Sequence, residues 1–352
     1  MNMIFVNPAG QRDNLGDSVL RRAYLDALRA RGELHVLVGR DADYASGLGL
    51  QPADVTYTSR LRWLIRACSF AIRGRLTFAA NAGEFVGTRA EQIKASWQIG
   101  IATLARITGG EVIVAGVSVR PGSSLSKTPL GQLARVASVL TWRDRASRET
   151  CGRGIVQPDW AFGITSNERA DNRNRLLVSV RADREPLSHE FISSLRRYAT
   201  DHSLEVCAVV QVRHDSARAA QLADQLGGKL FDWPAHRTHA EHERALRSLY
   251  QSSRVVLSDR IHVLIIALTE GCVPIGIDTG RPAKLRNTFD HVFQLEIVDG
   301  QSPLSALSVN AVLTREAEYA KAVTIAASDL DEVAAIIARP TGPIPPDSST
   351  ET

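Results

Sequence analysis

Short apolar runs alternate with longer amphipathic stretches along most of the chain, and this alternation limits the fold more than any other feature of the sequence. Met3 to Asn7, Leu34 to Val38, Leu76 to Ala79 and Glu111 to Val117 have the length and composition of buried strands. Each is followed by a loop and then a stretch of helical periodicity. Strand and helix in regular succession make βαβ units, which build parallel sheets. A second series begins with LLVSVR at Leu176 and continues with LEVCAVVQV from Leu204, VVLS from Val255 and VPIGID from Val273. The expected fold class is therefore α/β, with two Rossmann-like doubly wound domains facing a cleft.

The 352 residues suit two domains of about 150 residues each. The stretch Thr165 to Arg175 (TSNERADNRNR) is rich in turn formers and charge and separates the two series. The expected division is 1–165 for the first domain and 166–338 for the second. From Arg339 the sequence RPTGPIPPDSSTET has little apolar content, so 339–352 is expected to be a disordered tail. The helical run before it, about Ser305 to Ala338, has the length to pack back across the first domain, a placement the sequence leaves open.

Composition narrows the function classes. The longest apolar stretches, such as Val263 to Leu268, fall far short of the ~20 residues that span a bilayer. The N-terminal MNMIFVNPAG reads as a first strand rather than a signal peptide, so the expected location is cytoplasmic, either free or peripheral at the inner face of a membrane. Cys68, Cys151, Cys207 and Cys272 are scattered and form no CxxC pair, which argues against a disulfide framework or structural zinc. The net charge of +4 comes mostly from arginine, and guanidinium favours phosphate or carboxylate ligands. With aromatics at 6% and no recognition motif or dense basic run, nucleic acid is not the expected partner.

Several segments can carry chemistry. Asn14-Leu15-Gly16-Asp17 precedes the helix Ser18 to Arg29, where a glycine can bring a ligand close to backbone N–H groups at a helix N-terminus. The other reading makes Asp17 an N-cap and Gly16 a turn residue. Asn81-Ala82-Gly83-Glu84 follows the third strand as a carboxyl-edge loop or a plain turn. No GxGxxG fingerprint is present. PGSSLSKT (Pro121 to Thr128) lacks the glycines of a phosphate loop and reads as a mobile loop over the cleft. Arg143, Asp144 and Asp159 lie where the first domain can face the cleft, with Asp144 as a helix cap in the alternative. Arg181 ends LLVSVR, and Lys284 follows the loop DTGRPA, both placed for anion contact.

Ser258-Asp259-Arg260-Ile261-His262 is the sharpest constellation. It sets Arg260 and His262 at the first turn of an apolar helix, an expensive position unless the two are paired or serve a ligand. A cation and an imidazole there can hold an anion and move a proton near neutral pH. The alternative pairs Arg260 with Asp259 and makes His262 a satisfied core residue. His236, His239 and His242 recur every three residues, but nothing completes a metal site around them, and a solvated loop and helix start is preferred. Arg60 to Arg75 has Leu61, Leu64, Ile65, Cys68 and Ile72 at helical spacing among arginines. It reads as an ordinary helix with a solvated basic face, with contact to an anionic membrane as the second reading.

Together these segments resemble the polysaccharide pyruvyl transferase family. The resemblance rests on NLGD, VIVAGVSVRPG, WRDRAS, QPDWAF, LLVSVR and above all SDRIHVLIIALTEGCVPIGID, covering about Asn14 to Lys284. The chain departs from the family's glycine-triplet-like loop at Asn81-Ala82-Gly83. The resemblance implies a glycosyltransferase B-like pair of domains and no cofactor. It also implies transfer of a pyruvyl group from phosphoenolpyruvate to two hydroxyls of a sugar, free or lipid-linked, to form a cyclic ketal. On that reading His262, Arg260 and Asp17 are the catalytic candidates, and Asn14, Gly16, Arg143, Asp159, Arg181, Ser258 and Lys284 are the substrate-binding ones. Arg260, with Arg181 or Lys284, takes the donor, and Asp17 or Asp159 orients the acceptor. A nucleotide-sugar glycosyltransferase, or an inactive sugar-binding protein of the same fold, is the alternative.

Overall fold

The computed structural model describes residues 2–85, 89–119, 128–165, 170, 172–280 and 282–339, with the backbone alone for 89–95. Most of the PGSSLSKT loop, part of the interdomain stretch and the 340–352 segment lie outside the described residues. The first sheet contains β1 (Asn2–Val6), β2 (Gly32–Leu37), β3 (Val55–Tyr57), β4 (Leu76–Ala79), β5 (Gly83–Phe85), β6 (Glu111–Val119), β7 (Val139–Trp142) and β8 (Ile155–Val156). The second contains β9 (Arg175–Ser179), β10 (Glu205–Val209), β11 (Lys229–Phe231), β12 (Ser253–Ser258), β13 (Val273–Asp278) and β14 (Ile297–Asp299).

Both sheets are parallel, in the orders β3-β2-β1-β4-β6-β7-β8, with β5 joining β6, and β11-β10-β9-β12-β13-β14. Each chain path starts in the middle of its sheet, winds outward and then reverses. The reversal lies between β1 and β4 in the first sheet and between β9 and β12 in the second. Ligands of open α/β sheets bind beyond the carboxyl ends of the strands at such reversals. Helices cover both faces, so the central strands are buried almost throughout, as Leu176–Ser179 and Val255–Ser258 are.

The helix Glu316–Ala338 settles the question left open by the sequence. It returns to the first domain, with Leu330 against Gly163 and Arg31 Nη1 donating to the carbonyl of Ala338 at 3.4 Å. One apolar cluster consequently joins Leu15 and Val19 of the first domain to Val263 and Ile266 of the second through Leu330 and Val333. A separate cluster, including Phe5, Trp63, Phe70 and Trp142, fills the other side of the first sheet.

Polar contacts also join the two halves. Asn14 and Val212 form an antiparallel bridge, flanked by Leu15 N–H to Gln211 O at 3.1 Å and Arg213 N–H to Asp13 O at 2.8 Å. Arg22 grips the buried carboxylate of Glu243 with both terminal nitrogens, and Arg247 links that carboxylate to buried Glu270. Among the described residues no helix is long and apolar enough to cross a membrane.

Candidate active site

The four loops at the two reversals converge on a small set of side chains. After β1, Asn14 caps the helix Leu15–Arg29, its Oδ1 accepting from Gly16 N–H at 3.1 Å. The helix thus starts earlier than Ser18, and Asn14 rather than Asp17 is its cap. Asp17 lies within the first turn. Its carboxylate accepts from Gln11 N–H at 2.8 Å and lies 3.3 Å from Arg21 Nη1. Burial opposes ionisation of Asp17, but Arg21, the Gln11 amide and His262 prevail and lower its pKa.

Gly16 has a different use from the one expected. A Cβ built there would lie 2.4 Å from the Cβ and Nδ1 of His262. Gly16 therefore admits the imidazole of the second domain against the first helix, where a ligand approach was expected. His262 stands in the first turn of the helix Ile261–Thr269, which begins after β12. Its Nε2 is buried and 3.5 Å from Asp159 Oδ2, at the limit of hydrogen-bond reach, and among the described residues it has no closer partner. A satisfied core histidine does not fit that geometry.

Asp159 itself is fixed. Its Oδ1 accepts from Ala161 N–H at 2.9 Å, and its Oδ2 accepts from Arg143 Nη1 at 3.1 Å. Arg143 Nη2 in turn donates to Ser118 Oγ at 2.7 Å. Burial would raise the Asp159 pKa, but His262, Arg143 and the Ala161 amide together hold it well below the ordinary carboxylate value. The three side chains form a cation–carboxylate–imidazole line, with Arg143 and Asp159 from the first domain and His262 from the second. Asp144 caps the helix Arg145–Cys151 through Ser147 N–H at 2.7 Å, as its alternative reading held.

Arg260 pairs with Asp215, not with Asp259. Its Nε and Nη2 both reach Asp215 Oδ2, while Asp215 Oδ1 accepts from Ala182 N–H at 2.8 Å. Burial pulls the Arg260 pKa down against the attraction of Asp215. Asp259 instead accepts from Arg181 N–H at 3.0 Å and from Thr279 Oγ1 at 2.8 Å, and burial raises its pKa. His214 extends the cluster across the domains, with Nδ1 at 2.6 Å from Asp13 Oδ2 and Nε2 at 3.4 Å from Arg260 Nη2.

Other candidates are already engaged. Ser258 is fully buried, donates to Ser179 O at 2.6 Å and accepts from Arg260 N–H at 3.0 Å, so it ties β12 to β9 and offers nothing to a ligand. Asn14 spends its amide nitrogen on Gln11 and Asp17. Arg181 is held by Asp183 at 2.8 and 2.7 Å. Lys284 reaches across to Glu84 Oε2 at 2.7 Å, and desolvation lowers its pKa against the pull of Glu84. The Asn81–Glu84 loop therefore does face the second domain. Asn81 itself binds Arg21 Nε at 2.9 Å and Ala9 O at 2.6 Å.

The solvated reading of the histidine series holds for His236 alone. His239 and His242 are fully buried at the start of the helix His239–Gln251 because they serve the domain interface and the core. His239 Nδ1 meets Ser18 Oγ at 3.0 Å and its Nε2 meets Arg12 O at 2.8 Å. His242 stacks on Trp233 at 4.6 Å and meets Val210 O at 2.8 Å. Among the described residues no three His, Cys, Asp or Glu side chains gather as a metal site.

The family model for polysaccharide pyruvyl transferase matches residues 14–281, a stretch that contains Asp17, Arg143, Asp159, Arg260 and His262. The chain belongs to the polysaccharide pyruvyl transferase family. The family is one of transferases, and polysaccharide pyruvyl transfer in general is its activity class. No curated protein sequence matches the chain.

Solved structures agree on the fold of this pyruvyl transferase family member. The Neisseria meningitidis UDP-GlcNAc 2-epimerase bound to UDP-GlcNAc is 11% identical with a TM-score of 0.56, over 96% of this chain and 98% of that one. Anabaena Alr3699/HepE in complex with UDP-glucose is 14% identical with a TM-score of 0.53, over 96% and 98%. The S. aureus MnaA–UDP structure is 10% identical with a TM-score of 0.52, over 94% and 91%. At such identities the likeness shows the glycosyltransferase B-like architecture alone.

Sequence reasoning missed Asp215, His214, Thr279 and Arg21. Asp215 and His214 belong to VRHDS after β10, where a buried carboxylate beside a basic pair was a readable signal. Thr279 and Arg21 carried none.

Proposed function

We propose that this chain transfers the pyruvyl group of phosphoenolpyruvate to two hydroxyls of a sugar, forming a cyclic pyruvate ketal and releasing inorganic phosphate. The observation that carries the reading is His262. Its buried Nε2 lies 3.5 Å from a carboxylate of the other domain and, among the described residues, has no closer partner, at the meeting point of both sheet reversals. Family membership supplies the class of group transferred.

The chemistry needs a proton delivered to the donor's methylene carbon and protons removed from two hydroxyls. Protonating the methylene makes the methyl group and leaves C2 electron-poor. The first hydroxyl oxygen bonds to C2 and gives up its proton, the C2–O bond to phosphate breaks, and the second hydroxyl oxygen closes the ring. One hydroxyl proton balances the new C–H bond, and the other leaves with phosphate. A ring nitrogen that can take up a proton and give it back suits both transfers. Asp159, kept ionised, stabilises the imidazolium, and Arg143 keeps that carboxylate in place. Arg260, anchored by Asp215, and Lys284 offer positive charge to the donor's phosphate and carboxylate. Asp17 is placed to orient the acceptor.

A nucleotide-sugar glycosyltransferase is the second reading, favoured by the UDP-sugars in the solved neighbours. Thermal unfolding separates the two. Protection by phosphoenolpyruvate and not by UDP-sugars supports pyruvyl transfer, and the reverse pattern overturns it. Mass spectrometry of host surface glycans with and without the protein is the second check, and an unchanged profile counts against both the donor and the ketal.

A further inference from the structure

The helix Arg60–Ala71 carries two apolar faces, of which only one is buried. Its buried residues are Trp63, Ala67, Phe70 and Ala71, which meet the first sheet. Leu61, Ile65 and Ile72, which lead the longer apolar series, face outward at 68%, 62% and 82% exposure, with Cys68 exposed between them. At about 100° per residue, positions 61, 65, 68 and 72 fall within one narrow stripe. Ile107, 76% exposed, ends the neighbouring helix beside Thr108, whose carbonyl packs under Gly74. Among the described residues, four of the five large apolar side chains exposed above 60% are thus on this one corner of the molecule, the fifth being Leu307.

Charge on the 59–75 segment itself is of one sign. Between Ser59 and Arg75 there are five arginines, at 60, 62, 66, 73 and 75, and no acidic residue. All five are exposed, and among the described residues none has a carboxylate at ion-pair distance. Arg62, Arg66 and Arg73 share the flank beside the apolar stripe, with Arg66 laid over the Phe70 ring at 4.6 Å. Exposed apolar groups in a contiguous stripe are unusual on a monomeric surface. A stripe bordered by arginine fits an interface that is apolar inside and anionic at its rim, which is the acyl and headgroup boundary of an acidic bilayer.

We propose that the Arg60–Arg75 face docks this chain on the surface of a membrane rich in anionic lipid, with Leu61, Ile65 and Ile72 entering the headgroup boundary and the arginines meeting lipid phosphates. Neither signal holds a protein on a bilayer firmly by itself, and the two together do. Docking of this kind is independent of the chemistry in the cleft.

Vesicle co-sedimentation of the full chain tests this. The chain is expected to sediment with phosphatidylglycerol/phosphatidylethanolamine vesicles and to remain in solution with phosphatidylcholine vesicles. Leu61→Ser/Ile65→Ser/Ile72→Ser should lower partitioning at least tenfold with an unchanged unfolding temperature, since these side chains touch little of the fold. Arg62→Gln/Arg73→Gln should lower it roughly fivefold per arginine and abolish the preference for anionic lipid. Failure to sediment with anionic vesicles overturns the proposal, as does sedimentation that survives the triple serine variant. A dimer in solution that the triple variant dissolves would assign the face to a second copy of the chain and overturn it as well.

Discussion

Nε2 of His262, carried by the second domain, lies 3.5 Å from Oδ2 of Asp159, carried by the first, and Arg143 Nη1 donates to the same oxygen at 3.1 Å. The pair therefore exists only while the domains are together. His262→Gln should keep the fold and lose about 10²–10⁴ in turnover, read as phosphate release from phosphoenolpyruvate. Asp159→Asn strands Arg143 in a buried site and should cost roughly 3–5 kcal/mol in urea unfolding. Because the folded pKa of Asp159 is depressed from 3.8, its contribution is present above that value and is lost as pH falls below it. Wild type should lose stability more steeply than Asp159→Asn in that acid range.

Gly16 gives a prediction that separates sterics from chemistry. Its missing Cβ leaves the space that the His262 ring occupies at 2.4 Å. Gly16→Ala should therefore destabilise by about 1–3 kcal/mol through overpacking and lower turnover together. In a His262→Gly background the same change should cost far less, because the Cβ and the ring that the new methyl would meet are both gone. Equal costs in the two backgrounds, measured by unfolding, would show that Gly16 serves the helix start rather than the histidine.

Arg260 offers two donors to a single carboxylate oxygen of Asp215, a fork that lysine cannot reproduce. Arg260→Lys keeps the charge and loses the geometry. Its KM for phosphoenolpyruvate should rise tenfold or more, with a smaller change in kcat. A lowered kcat with an unchanged KM would move Arg260 from donor binding to the chemical step.

The parts of the fold readable in sequence are those with a long apolar signature. β1, β4, β6, β9, β12 and β13 are buried runs and were legible. β3, β11 and β14 are three-residue edge strands with exposed or half-exposed side chains, so they leave no periodicity to read. The candidate site divides in the same way. His262 and Arg260 stood out because polar groups at the head of an apolar helix need an explanation. Their partners Asp159 and Asp215 lie 103 and 45 positions away in the sequence, and such pairings come from the winding of two sheets that no local pattern encodes. The helix at 60–71 has the solvated basic face that was expected, but which apolar face it buries was not legible, for a related reason. Its apolar stripe and its buried face are both helical in period, and only the packing of Trp63 and Phe70 on the sheet decides which one turns inward.

His242 provides a pH test outside the active site. It is fully buried, stacked on Trp233, and donates from Nε2 to Val210 O, with Nδ1 unsatisfied among the described residues. Burial, aided by Arg237 and Arg213 and resisted by the Val210 carbonyl, pushes its pKa down from 6.5 to about 4. The neutral ring is therefore the folded form. Its stabilising effect is complete above pH 6.5, where the unfolded histidine is neutral too, and is lost as pH falls from 6.5 to about 4. At roughly 1.4 kcal/mol per pH unit the loss amounts to about 3 kcal/mol. His242→Phe keeps the stack on Trp233 and removes the titration. It should be less stable than wild type at pH 7.5 by about 1–3 kcal/mol for the unpaired Val210 carbonyl, and the gap should close or invert near pH 4. Parallel pH profiles for the two proteins in urea unfolding would show that His242 does not titrate with folding.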